Sequence, residues 1–120
     1  MSISNYAENA LLDTLRNVSF TVASTYVKLH LGDPGEDGTN NAAAETTRQA
    51  ATWSAASGGS IATSGTVEWT NVSTTEIYTH WSLWDASTAG NCLWTGALGA
   101  SASMTAGDTF QITSLTLSLD

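Results

Sequence analysis

The chain has 120 residues, enough for one domain over 1–120, with 42% hydrophobic and only 12% charged residues, about half the ~25% charged share of ordinary domains. Three cations, Arg16, Lys28 and Arg48, stand against eleven acids for a net charge of −8. That balance excludes nucleic-acid binding, which needs several cations to replace phosphate counterions, and adhesion to anionic membranes.

Cys92 is the only cysteine, so no internal disulfide can form. The opening stretch "MSISNYAENALLDTL" lacks a basic leader region and a long apolar run, so neither a secretory leader nor a membrane span is expected. Residues 5–17 read as the one helix. Asn5 and Glu8 have capping-box spacing, and Ala7, Leu11 and Leu15 recur on one face beside Leu12 and Val18. That face must dock, either on a sheet or on another subunit.

The period then changes. Val27, Leu29 and Leu31 alternate with Tyr26, Lys28 and His30 as a half-buried strand. A long loop over about 32–47 follows, containing "GDPGEDGTNN", and "NAAAETT" offers a short helical turn. Gln49, Ala51 and Trp53 alternate as a strand, "SAASGGSIATSG" reads as loop or weak edge strand, and "TVEWTNV" places Val67 with Trp69. The clearest strand, "EIYTHWSLWDA", puts Ile77, Thr79, Trp81 and Leu83 on one face. "STAGN" turns, "CLWTGAL" returns, "TAGDT" turns again and "FQITSLTLSL" closes the chain. In that last segment Phe110 and Ile112 have one parity and Leu115, Leu117 and Leu119 the other, which predicts a β-bulge at Thr113-Ser114. One short N-terminal α-helix and six to eight strands define a mainly β fold, an antiparallel β-sandwich.

Asp33, Glu36 and Asp37 raise the question of a Ca²⁺ site. An EF-hand loop needs ligands where this chain has Gly35 and Ala44, so only an irregular site could form and no metal or other cofactor is expected. Two turns explain the stretch better. Pro34 and Gly35 suit the centre of a β-turn that Asp33 caps, and Asp37-Gly38 suits a second. His30 and His80 are mid-strand and lack the close spacing of zinc ligands. No Gly-x-Ser-x-Gly, Walker or His-Glu-x-x-His motif is present, and catalysis is not expected. Five tryptophans stand out. Trp81 and Trp84 have opposite parity, so one of them should lie near a surface, where it could meet a subunit or stack on a sugar.

The runs "YAENALLDTLRN", "YVKLHLGDPGEDGTNNAAAETTR", "THWSLWDASTAGNCLWTGAL" and "AGDTFQITSLTLSL" resemble a family of small virion proteins of tailed bacteriophages. Its members are described as tail fibre or minor tail proteins, and some look like capsid decoration proteins. The resemblance implies a non-enzymatic structural protein, assembled into the virion in the host bacterial cytoplasm. It would bind other tail or capsid proteins and form a homo-oligomer such as a trimer. The tail is the favoured place, with head decoration and glycan-binding host recognition as alternatives. Expected contact residues are Leu11 and Leu15 on the helix, Asp33, Pro34, Gly35 and Asp37 in the loop, and Trp84 on a sheet face.

Overall fold

A computed structural model describes residues 1–119. In chain order the elements are β1 (Ser2–Ile3), α1 (Asn5–Asp13) with a 3₁₀ turn (Thr14–Arg16), β2 (Thr25–His30), β3 (Gln49–Ala51), β4 (Ser60–Ala62), β5 (Val67–Trp69), β6 (Glu76–Trp84), β7 (Cys92–Met104), β8 (Phe110–Ile112) and β9 (Thr116–Ser118). Strand β6 carries the most β-branched and aromatic residues, and with β7, the longest strand, it forms the central hairpin. Around them lies a five-stranded antiparallel sheet, ordered β1-β7-β6-β2-β3. The second layer is two antiparallel pairs, β4 with β9 and β5 with β8. The fold is thus mainly β and antiparallel with one short N-terminal helix, as the alternation predicts. Among the described residues it has nine strands rather than six to eight, because β1 is a two-residue addition and the last segment divides in two.

The core lies between the layers. Val27, Leu29, Tyr78, Trp81 and Leu83 from the large sheet meet Val67, Trp69, Phe110, Ile112, Leu115 and Leu117. Phe110 joins the two sides: its ring centroid lies 5.2 Å from Tyr78 and 5.7 Å from Trp69, spacings at which tilted aromatic pairs gain beyond their buried area. The layers also close along one side, where Thr52–Ser54 runs beside Ala62–Ser64 through Ser54 N–H to Ala62 O and Ser64 N–H to Thr52 O.

Several local expectations are corrected. The helix cap is Ser4, not Asn5: Ser4 Oγ accepts the Ala7 N–H at 3.1 Å and donates to Cys92 O at 2.6 Å. One hydroxyl thereby satisfies an orphan helix donor and ties α1 to β7. No helical turn forms in "NAAAETT". Its amides go elsewhere, Ala43 N–H to Leu29 O, Ala44 and Glu45 N–H to the Glu76 carboxylate and Thr47 N–H to that of Glu45. Leu31 is exposed, because β2 ends at His30 and the Leu31 N–H turns to Asn41 O.

Ile77 is 54% exposed, and Tyr78 takes the core position instead. Opposite β6, Ala97 pairs with His80 but Ala102 with Tyr78, so residues 98–101 stand against Thr79 alone. This wide bulge resets the phase of β6 below His80. The parity break at Thr113-Ser114 is real but is not a bulge within one strand. Regular pairing stops between β8 and β9, and the extra residue belongs to the partner: Ile112 pairs with Val67 and Thr116 with Ala62. Phe110, Ile112, Leu115 and Leu117 consequently all point inward, while Leu119 is exposed. No helix among the described residues is long and apolar enough to cross a membrane.

Candidate interaction surface

The stretch Asp33–Asn41 leaves β2 and folds back over the outer face of the large sheet. Asp33 Oδ1 accepts the Gly35 N–H at 3.0 Å, and Asp37 Oδ1 accepts from Thr39 N–H at 3.3 Å and Thr39 Oγ1 at 2.7 Å. These are the two side-chain-closed turns that aspartate before glycine permits. The hydrogen bonds from Thr39 hold the Asp37 carboxyl below its ordinary range. The backbone turn is displaced from the sequence expectation. Gly38 N–H donates to Gly35 O at 3.1 Å, so Glu36 and Asp37 form its centre, not Pro34 and Gly35. The reason is local: Gly35 is held by Asp33 with φ +76°, while Pro34 is buried and its carbonyl accepts from Asn40 N–H at 2.9 Å.

Beneath the loop runs a polar chain from three elements. His30, on β2, is fully buried. Its Nδ1 lies 2.8 Å from Asn40 O and its Nε2 2.7 Å from Ser82 Oγ on β6. Trp84 Nε1–H donates to the same Ser82 Oγ at 2.7 Å. A carbonyl only accepts, so Nδ1 carries the proton. The Ser82 hydroxyl, already accepting from Trp84, then donates to Nε2. Each group is satisfied with the imidazole neutral. Burial, with Lys28 and His80 adding smaller repulsions, lowers the His30 pKa from its ordinary value.

Trp84 is 7% exposed, not a surface residue. The Arg48 guanidinium lies 4.1 Å above its ring, within cation–π range, while Arg48 Nη1 donates to Ala86 O at 2.8 Å and Ala89 O at 2.7 Å in the β6–β7 turn. Gly38 approaches from the loop side. A Cβ there would stand 2.7 Å from Cys92 Sγ and 3.0 Å from Trp84 Cζ2. Burial pushes the Cys92 thiol up to about 11, so it stays protonated and unreactive near neutrality.

The structure thus joins Asp37 and Trp84. Both line a cleft of about 600 Å³ with Tyr6, Glu36, Asn91 and Cys92. Asp33, Pro34 and Gly35 belong to the same loop but do not line the cleft. Leu11 lies elsewhere, in an apolar groove of about 420 Å³ between α1 and the end of β9, shared with Phe20, Trp53, Trp94 and Leu117. Leu15 lies beyond it, 87% exposed. Among the described residues no three His, Cys, Asp or Glu side chains group as a metal site, and Asp33 and Asp37 each give an oxygen to their own turn. Sequence reading missed His30, Ser82, Arg48 and Gly38 as parts of this surface. Its one available signal was the second face of β2 and β6, where Lys28, His30, Ser82 and Trp84 alternate against the core positions.

The fold and these surfaces define a small antiparallel β module whose outer sheet face is lined by an ordered acidic loop. The sequence matches, over residues 2–120, the family described as "Podophage GP4 fiber I protein gp80", and the chain belongs to that family. It is therefore a structural protein of the phage-fibre type. No curated protein matches it significantly.

Proposed function

We propose that the chain is a non-enzymatic fibre subunit of a tailed-phage virion that binds other virion proteins, copies of itself among them. The observation that supports this beyond family membership is the apolar end of the molecule. Leu12 is 63% exposed, Leu15 87% and Met1 62%. Met1 and Leu12 line a cleft that also takes in Glu8, and Leu11, Trp94 and Leu119 carry that cleft into the adjoining groove, whose lining has no charged side chain, on a chain that otherwise holds a net charge of −8. Clustered exposed apolar side chains rimmed by polar residues mark contact surfaces. The cleft beside Asp37 and Trp84 is the second candidate contact. It favours protein over sugar, because Arg48 occupies a face of Trp84 on which a sugar ring would stack.

Leu15→Glu in the intact chain tests the reading. A side chain this exposed contributes little to folding, so thermal stability should move by no more than about 0.5 kcal/mol. Incorporation into particles, followed by quantitative mass spectrometry, should fall at least tenfold. Normal incorporation would refute the apolar end as the contact. Copy number in the same particles separates a fibre, with a few to a few dozen copies, from a head-decorating protein with hundreds.

A further inference from the structure

The loop over the outer sheet face rests at its far end on a buried imidazole, and a second proton on that imidazole would meet the Ser82 hydroxyl hydrogen as it now points. We infer that His30 is a proton-sensitive latch: neutral, it fixes the Asp33–Asn41 loop over Trp84 and Cys92, and on protonation it releases it. This goes beyond the fibre assignment and stands whichever partner the loop meets.

The geometry carries the inference in three steps. First, the neutral ring is fully engaged. Nδ1–H donates to Asn40 O, and Nε2 accepts from a Ser82 hydroxyl whose oxygen is itself held by Trp84 Nε1–H. A second proton on Nε2 would face the Ser82 hydroxyl hydrogen, which would have to rotate away from its present acceptor. Second, the surroundings do not repay a positive charge. Lys28 from β2 and His80, the cross-strand partner on β6, act against it. The Asn40 and Asn41 carbonyls favour it, Asn40 more than either repulsion opposes it, but burial with those repulsions outweighs them. The nearest loop acids are turned elsewhere, Asp33 to Gly35 N–H and Asp37 to Thr39, while Arg48 and Cys92 stand against Trp84 at the next step of the network. Third, the loop is the part that can yield. β2 and β6 are paired along five residues. By contrast, the far end of the loop meets the sheet through the Asn40–His30 bond, the packing of Gly38 and a single antiparallel bridge of His30 with Ala42, in which Leu31 N–H donates to Asn41 O and Ala43 N–H to Leu29 O. Opening it returns the imidazole to water.

The direction follows from linkage. Burial lowers the closed-state pKa of His30 from its ordinary 6.5. The closed loop is therefore fully favoured above that value and is lost as pH falls. Between about 6.5 and the closed-state value, each pH unit raises the open fraction about tenfold.

The test uses the whole chain in solution. ¹⁵N NMR should find His30 as the Nδ1–H tautomer at pH 7.5, protonating below 6.5. Exchange of the Trp84 indole N–H and labelling of Cys92 by a disulfide reagent active at acid pH are followed in parallel. Normalised to the urea-unfolded chain, both should accelerate about tenfold per pH unit. In His30→Gln, neutral at every pH, both should stay flat between pH 7.5 and 5. Should that variant not fold, His80→Gln serves instead: it removes one repulsion on the closed-state imidazole, so His30 should titrate at higher pH and the acid acceleration of both probes should shrink. Titration of His30 at its ordinary value with Trp84 still protected, an unchanged acid response in His30→Gln, or an unmoved His30 titration in His80→Gln would each overturn the latch.

Discussion

Gly38→Ala probes whether the loop is seated on the sheet as described. The residue has φ +72°, and an added Cβ would lie 2.7 Å from Cys92 Sγ, 3.0 Å from Trp84 Cζ2 and 3.2 Å from Cys92 Cβ. Two costs add. Holding alanine in the left-handed region costs about 1 kcal/mol, and forcing a methyl against a buried thiol and indole costs about 1–3 kcal/mol more. The expected loss is about 2–4 kcal/mol, a large share of the stability of a domain this size. Gly58 supplies the control. It has φ +61° and nothing within 4 Å of its would-be Cβ, so Gly58→Ala should lose only the backbone part, about 1 kcal/mol. Urea unfolding read by tryptophan fluorescence measures both. Adding Cys92→Ala to Gly38→Ala removes the nearest atom and should recover about 1 kcal/mol as a coupling term. Equal losses in Gly38→Ala and Gly58→Ala, or no coupling to Cys92, would refute the seating of the loop.

Arg48→Lys keeps the charge but loses the planar stack on Trp84 and the paired grip on Ala86 and Ala89; it should lower stability by about 1 kcal/mol and quicken exchange of backbone amides across the β6–β7 turn, and a neutral result would show that charge alone holds that turn. Tyr78 is fully buried with a hydroxyl that has no hydrogen-bond partner, and burial, with Glu76 and Glu45 nearby, pushes its pKa up to about 12. Tyr78→Phe should thus be neutral or stabilising by up to about 1–2 kcal/mol in thermal unfolding, and a clear destabilisation would mean that the hydroxyl is satisfied.

The fold was legible where alternation runs for several residues. Tyr26 to His30 and Trp81 to Trp84 alternate cleanly, and both segments are the predicted strands. It failed where long-range pairing decides the phase. Nothing near Ile77 reports that residues 98–101 of the partner strand will stand opposite Thr79, and beyond that register shift Tyr78 rather than Ile77 faces the core. The helix cap failed for a similar reason. Ser4 and Asn5 are both good caps locally, and the choice falls to Ser4 because its hydroxyl also reaches Cys92 O, 88 positions away.

The surface was half legible, and the two halves differ in kind. Asp33, Gly35, Asp37 and Gly38 form their turns through hydrogen bonds spanning two or three residues, so local turn chemistry finds them. What the loop rests on is not local. His30 meets Asn40 after ten residues but Ser82 only after fifty-two, and Arg48 reaches the β6–β7 turn from thirty-eight positions away. A histidine between apolar neighbours reads from sequence as a satisfied surface or core residue, and His30 is satisfied and buried, though on the outer sheet face beneath the loop. Its place in a three-element chain depends on the β2–β6 register, which pairs Lys28 with Ser82 and His30 with His80. A shift of one residue would turn Ser82 to the other face and leave the imidazole without its second partner. The sheet register, fixed by the apolar core on one face, therefore also sets the polar network on the other. Mutations that loosen core packing around Leu29 and Leu83 should accordingly weaken the seating of a loop that neither residue touches through a hydrogen bond.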